Sequence, residues 1–316
     1  MSITLSCTRC DGPLAPAKDC FSCNRCGHAL PVRRGVVWAS GEAPASPPAL
    51  AQDALERGWL AAAETKLEAG TPDLRVLMMR MGAMRTERAG DWQFLVEPDP
   101  DGAALVLGDP WGAHLTAVAR TMGSVAAFVQ DAERAEYLRV RADQESLDNV
   151  HAIVHGRSES DIPFTRDQFS LVSLMGAWRG APGTNGGGGD PLGRLISTAF
   201  RLLHKGGTLV LGMPNRIRNP LGARCAGGRA LASTLPAFRA RLARSGFHDP
   251  QLYLPVPDLS DLQAVVSLDS KEALRYFHVV YRHPRARWKR ALLGAAIDAG
   301  LVPVAAPSYI AVARKS

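Results

Sequence analysis

The sequence predicts an α/β protein, a mainly parallel sheet with helices on both faces, preceded by a small cysteine-rich module. Three observations carry this expectation. Two C-x2-C pairs lie within the first 26 residues. From Ala103 onward, short apolar runs alternate with segments of helical period. The first of those runs closes on a glycine turn, GDPWG (108–112). With 316 residues, 46% hydrophobic and 21% charged, the chain can bury a full core and has room for one large domain plus a small one.

Bulk properties exclude some classes. No stretch reaches the roughly 18 to 20 uninterrupted apolar residues of a membrane span, and the segment from Met1 to Thr8 has no basic patch followed by an apolar run. A cytoplasmic protein is therefore expected. The 37 Lys and Arg against 30 Asp and Glu leave a net charge of +7, mostly arginine, which does not by itself specify a polyanionic partner. Five of the six cysteines fall between Cys7 and Cys26, so metal binding in a reducing compartment explains them better than a disulfide framework.

The N-terminal module, residues 1–40, reads as a zinc ribbon. Cys7, Cys10, Cys23 and Cys26 form two knuckles separated by twelve residues, and four thiolates complete a tetrahedral shell. Gly12 and Gly27 follow the knuckles, where the backbone must turn toward the sulfurs. Cys20 and His28 are alternative ligands, since Cys20 and Cys23 make a further C-x2-C. A fully thiolate shell leaves no open position for water, so the zinc is expected to be structural.

Residues 41–48 (GEAPASPP) form an extended linker, and residues 49–100 a helical lead-in. Apolar residues recur at helical intervals over 49–69 until Thr71-Pro72 stops the run, and 74–84 predicts another helix. Met78, Met79, Met81 and Met84 within it serve core packing or line a pocket.

Residues 101–316 form the large domain. AALVLG (103–108) is a strand feeding the glycine turn, and 113–121 is a helix whose amides point back at that turn, as a nucleotide-binding crevice requires. A second strand, 124–129, ends near Asp131, about 20 positions after the glycines, where an acid can accept hydrogen bonds from ribose hydroxyls. A helix (132–144) and strands 150–154, 169–175 and 207–212 follow, with a helix over 192–204 between the last two. Farther on, 235–245 predicts a helix, 251–255 a strand, 271–297 a helical stretch and 308–314 the final strand. This succession is Rossmann-like.

Over roughly residues 100 to 316 the chain resembles the class I S-adenosylmethionine-dependent methyltransferases. The resemblance rests on ALVLGDPWG, FVQD, the DIPF…FSLVSL stretch and RLLHKGGTLVLGMPNR. The ribbon, in turn, resembles the lead-in found ahead of some bacterial methyltransferase domains. The resemblance implies a seven-stranded sheet whose last two strands form an antiparallel pair at its edge. It implies that S-adenosylmethionine is held by Gly108, Asp109, Trp111, Gly112, Asp131, Ser158, Glu159 and Met175. The sequence also departs from the family pattern. Val106 stands two residues before the first loop glycine where an acid is usual, Pro110 replaces a glycine, and Ser158 and Ser170 replace acids.

Methyl transfer from a sulfonium is an in-line displacement, so alignment is the main requirement and no fixed catalytic residue is demanded. None is assigned. Trp178 could stack on a planar acceptor, and the glycine run within 184–190 reads as a loop near the site. The resemblance therefore implies an enzyme acting on a small-molecule, sugar or lipid-linked acceptor. Two alternatives remain open at this point. The ribbon and the basic stretch YRHPRARWKR (281–290) suit an RNA methyltransferase, and the four departures suit a partner protein that kept the fold and lost the cofactor.

Overall fold

The computed structural model describes residues 3–39, 43–71, 73–109, 111–154, 162–176, 190–217, 224–225, 228–229, 232–259, 262–280 and 287–316. Four short strands build the N-terminal module: β1 (Leu14–Pro16), β2 (Cys20–Cys23), β3 (Ala29–Arg33) and β4 (Val36–Trp38). β3 and β4 are joined by Arg34 and Gly35, both left-handed with φ of 50° and 73°. That two-residue turn has the handedness that matches strand twist.

The lead-in begins with α1 (Ala49–Arg57) and α2 (Trp59–Ala69). The sequence pattern predicted one continuous helix here, but Gly58 adopts φ 91° and ψ 149° and breaks it in two. α3 (Leu74–Gly82), α4 (Thr86–Ala89) and a 3-10 turn (Asp91–Leu95) complete the segment. Met84 is buried with this face of the core, while Met78 is exposed.

The large domain runs β5 (Asp99–Leu107), α5 (Ala113–Ala119), β6 (Met122–Val129), α6 (Ala132–Gln144), β7 (Val150–Val154) and β8 (Phe169–Leu174). It continues with α7 (Pro191–Leu202), β9 (Leu203–Pro214), the small pair β10 (Arg224–Cys225) and β11 (Gly228–Arg229), α8 (Leu235–Arg244), β12 (Phe247–Pro257) and β13 (Leu262–Ser267). The chain ends in α9 (Lys271–Val280), α10 (Arg287–Asp298), α11 (Val302–Ala305) and β14 (Ser308–Lys315). The predicted helix over 271–297 is thus two helices, with 281–286 outside the described residues.

The central seven strands lie in the order β7-β6-β5-β8-β9-β14-β12. β5 to β9 are parallel, and β14 alone is reversed, antiparallel to both β9 and β12. These are the seven strands expected from the sequence, but the sheet does not stop with them. β13 adds antiparallel to β12 at one edge, and β4 adds parallel to β7 at the other, bringing β1 to β3 with it. Among the described residues one twelve-stranded sheet results, and the ribbon is continuous with the large sheet. Arg34 in the β3–β4 turn reinforces the junction with a two-pronged ion pair to the buried Glu136 of α6, at 2.5 and 2.7 Å.

Alternation along each strand sends side chains to two cores. In β5, Ala103, Leu105 and Leu107 face one layer, together with α7, α8 and the ribbon residues Leu5, Cys7, Leu14 and Leu30. Ala104 and Val106 face the other, with α1, α2, α5 and α6. Burying each leucine of this kind is worth roughly 1.5–3 kcal/mol, so a strand buried on both faces anchors the centre of the sheet.

Candidate functional site

Two places gather chemistry. The first is the ribbon, where the Sγ atoms of Cys7, Cys10, Cys23 and Cys26 all lie within 4.8 Å of one another. Three of the pairs, Cys7 with Cys26, Cys10 with Cys23 and Cys10 with Cys26, are 3.5 Å apart. Zinc–sulfur bonds of about 2.3 Å in a tetrahedron put the sulfurs about 3.8 Å from each other, so the donor set has the size that ion needs. The folding of the knuckles explains the glycines. A Cβ at Gly12 would sit 3.3 Å from both Cys10 Sγ and Cys23 Sγ, and Gly27 is left-handed at φ 70°. Cys20 and His28, the alternative ligands, stand outside this group of four.

The second place is the edge where β5, β6, β8 and β9 end, the side on which open α/β sheets bind ligands. Gly108 and Gly112 are left-handed, at φ 75° and 83°, so the turn after β5 takes the shape its glycines allow. Within it, Asp109 is buried and directed at its own helix. One carboxylate oxygen accepts the Gly112 N–H at 3.0 Å and the other the Leu115 N–H at 2.8 Å, which satisfies the open amides of α5. Trp111 is 8% exposed. Its ring meets Tyr137 edge-on at 5.7 Å, and the Arg134 guanidinium lies 3.8 Å over its face. Burial pushes the Arg134 pKa below its ordinary value.

Asp131 caps α6, accepting the Glu133 N–H at 2.9 Å on Oδ1. Oδ2 is 4.0 Å from Arg134 Nε, and 58% of the Asp131 side chain remains exposed. The acid is thus at the tip of β6, next to the glycine turn, with acceptor capacity facing outward. Met175 is buried beside Leu259, which reaches over from the turn between β12 and β13. A Cβ at Gly212 in β9 would lie 3.1 Å from Leu259 Cδ2 and 3.2 Å from Met175 Sδ. The residue after Met175 is closer still to the glycine turn. A Cβ at Gly176 would fall 2.0 Å from the Gly108 carbonyl oxygen, so the chain leaving β8 and the turn after β5 are in backbone contact.

The structure therefore brings together Gly108 and Asp131 as the open part of the edge, and Asp109, Trp111, Gly112 and Met175 as a buried layer behind it, with Gly112 packed where a Cβ would meet Leu138 Cδ2 at 2.7 Å. Ser158 and Glu159, with Asp161, Pro110, Trp178 and the glycine run 184–189, lie outside the described residues. Sequence reasoning missed Arg134, Arg141, Gly176 and Leu259. Arg141 is buried, donates to the Trp111 and Met84 carbonyls and to Thr86 Oγ1, and so holds the glycine turn from behind. Only Gly176 carried a usable signal, a glycine directly after a parallel strand.

The order β7-β6-β5-β8-β9-β14-β12 with a single reversed strand is the observation that decides the architecture. The seven central strands have the arrangement that the resemblance to class I methyltransferases implied. No family model matches the sequence, and no curated protein matches it. Among solved structures, phosphoethanolamine N-methyltransferase 2 of Haemonchus contortus, in complex with S-adenosylmethionine, is similar at 15% identity with a TM-score of 0.45. That match covers 72% of this chain and 51% of the other, so the chain spans about half the length of the Haemonchus enzyme. Geranyl diphosphate C-methyltransferase of Streptomyces coelicolor A3(2), in complex with S-adenosylhomocysteine, is similar at 16% identity with a TM-score of 0.44, covering 80% of this chain and 84% of the other. The sheet order places the glycine turn and the β6 acid side by side.

Proposed function

We propose that this chain is an S-adenosylmethionine-dependent methyltransferase acting on a small-molecule, sugar or lipid-linked acceptor, with a structural zinc ion in its ribbon. One observation supports the reading above all: left-handed Gly108 stands at the tip of β5 beside the exposed Asp131 carboxylate at the tip of β6. In this reading Asp131 accepts hydrogen bonds from ribose hydroxyls, while Gly108 lets backbone come close to a nucleoside. Asp109, Trp111 and Met175 shape the floor of that site. S-adenosylmethionine, when bound, supplies an electrophilic methyl group on a sulfonium. The protein's contribution is to orient that group toward the acceptor and exclude water, and the reading assigns no proton-transferring side chain.

Titration calorimetry with S-adenosylmethionine tests this directly, together with native mass spectrometry, which also counts bound zinc. Saturable binding that Asp131→Ala weakens is the expected result. No heat of binding up to millimolar cofactor would remove the enzymatic reading.

A second reading has a specific observation in its favour. Trp111 and Met175 are buried, Leu259 roofs the end of β9, and Gly176 closes on the Gly108 carbonyl, an arrangement that suits a methyltransferase-fold partner protein without cofactor. Nucleoside co-purifying with the native chain would rule against it.

A further inference from the structure

The ribbon grips the strand and the helix that meet at Asp131, and it does so in several places. At the β3–β4 turn, Arg34 holds Glu136 of α6 at 2.5 and 2.7 Å, and a Cβ at Gly35 would lie 3.1 Å from Arg139 Cδ of the same helix. Asp131 is the N-cap of that helix. At the tip of β4, Trp38 is in register with Val154 of β7, which pairs in turn with Val129 of β6, two residues before Asp131. The Ala39 N–H donates to the Val154 carbonyl at 2.8 Å and extends that ladder by one bond. On the opposite face of the sheet, Leu5 bridges to Phe164 and the Ser6 N–H donates to the Pro163 carbonyl at 2.9 Å. The Phe164 ring meets Phe128 of β6 at 5.7 Å. The end of β6 is therefore backed by ribbon residues on both of its faces, Trp38 in one core and Leu5 in the other.

These grips flank the metal-binding knuckles in the chain. Leu5 and Ser6 run directly into Cys7, and β3 begins three residues after Cys26. Cys7 and Cys23 are themselves buried in the core that contains Leu5, Phe128 and Phe164. A module of four short strands has little core of its own, so its geometry depends on the ion that ties the four sulfurs together. The metal-bound and metal-free ribbon are then two states of one element in contact with both faces of β6, and a two-state element that touches both sites is what coupling between them requires. We infer that zinc occupancy of the ribbon sets the affinity of the Asp131 site for S-adenosylmethionine, with Leu5, Arg34 and Trp38 as positioning residues, an inference that rests on the cofactor reading of that site. Coupling free energies are reciprocal, so the cofactor must tighten the ribbon's hold on zinc by the same factor.

The test is titration of S-adenosylmethionine into the full chain, zinc-loaded and after chelation, at a temperature where circular dichroism shows both forms folded. Removing zinc should weaken cofactor binding on the order of tenfold. Zinc affinity, read by competition with a chromophoric chelator, should rise by the same factor when cofactor is present. Equal cofactor affinity in the two forms overturns the inference and leaves the methyltransferase reading standing, whereas no binding by the zinc-loaded chain removes both. Should the zinc-free chain unfold, variants at full zinc occupancy decide. The Trp38 indole N–H is buried without a partner, so the bulk of the ring is what β4 contributes there. Trp38→Phe should bind cofactor as the parent does and Trp38→Ala on the order of tenfold more weakly, each still holding one zinc by native mass spectrometry. Arg34→Gln, which frees α6 from the β3–β4 turn, should weaken binding in the same direction and takes the place of Trp38→Ala if that variant misfolds. Parent-like affinity in the folded, zinc-loaded variants overturns the inference.

Discussion

Arg141 shows how much a single side chain can carry. It is 1% exposed, pairs with Glu145 at 2.8 Å and lies 3.7 Å over the Trp59 ring while donating to the glycine turn and the lead-in. Removing such a group leaves the Met84 and Trp111 carbonyls without their donor and Glu145 paired with Arg120 alone, so Arg141→Met should lower unfolding stability by about 1–3 kcal/mol, read from urea denaturation. Asp131 has two separable jobs. Asn is as good a helix cap as Asp, so Asp131→Asn should keep the melting temperature while weakening cofactor affinity on the order of tenfold, since a charge-assisted acceptor is lost. Equal affinity in the Asn variant would deny the acid its proposed role. Asp167 offers a pH test. The hydrogen bond from Lys315, 2.6 Å away, holds its carboxyl below the ordinary value of 3.8. A carboxylate with a depressed folded-state pKa stabilises fully above 3.8, and that contribution fades as pH falls through the folded value. The melting-temperature gap between the parent and Asp167→Asn should therefore close in acid.

At the scale of elements, the sequence was most legible where local signals agreed. α6 was read within its observed limits because Asp131 caps it, and β7 because its apolar run is short and bounded. The misreadings came from long-range effects. Gly58 sits inside a pattern that reads as one helix, yet the fold turns there, and β13 has no alternation strong enough to stand out until β12 supplies a partner. The approach of β8 to the glycine turn makes its own prediction. Gly176→Ala would place a methyl group 2.0 Å from the Gly108 oxygen, so one loop must move, at a cost of about 1–3 kcal/mol. A shift of the urea midpoint with an unchanged slope is the expected signature.

For the whole molecule, the ribbon's place in the sheet changes what the proposed zinc ion should do. Leu5, Cys7, Leu14 and Cys23 belong to the same core as Phe164, Leu195 and Leu211 of the large domain, and Leu5 bridges to Phe164. Stripping zinc with a strong chelator should then lower the melting of the entire chain, by about 2–4 °C for each ~1 kcal/mol lost. Scanning calorimetry that resolved a separate ribbon transition, leaving the main one unmoved, would contradict this coupling.

Cysteine spacing, strand and helix periodicity and the position of a capping acid were enough to determine which four cysteines gather in the ribbon, the alternating architecture and the neighbourhood of the glycine turn. Each of these is a local property, set by residues a few positions apart. Only the tertiary structure decided that Asp109 turns inward, that Trp111 is sandwiched between Tyr137 and Arg134, and that the ribbon extends the main sheet. Whether a side chain meets solvent or protein depends on which distant segment arrives beside it, and that information is spread over contacts that no sequence window contains.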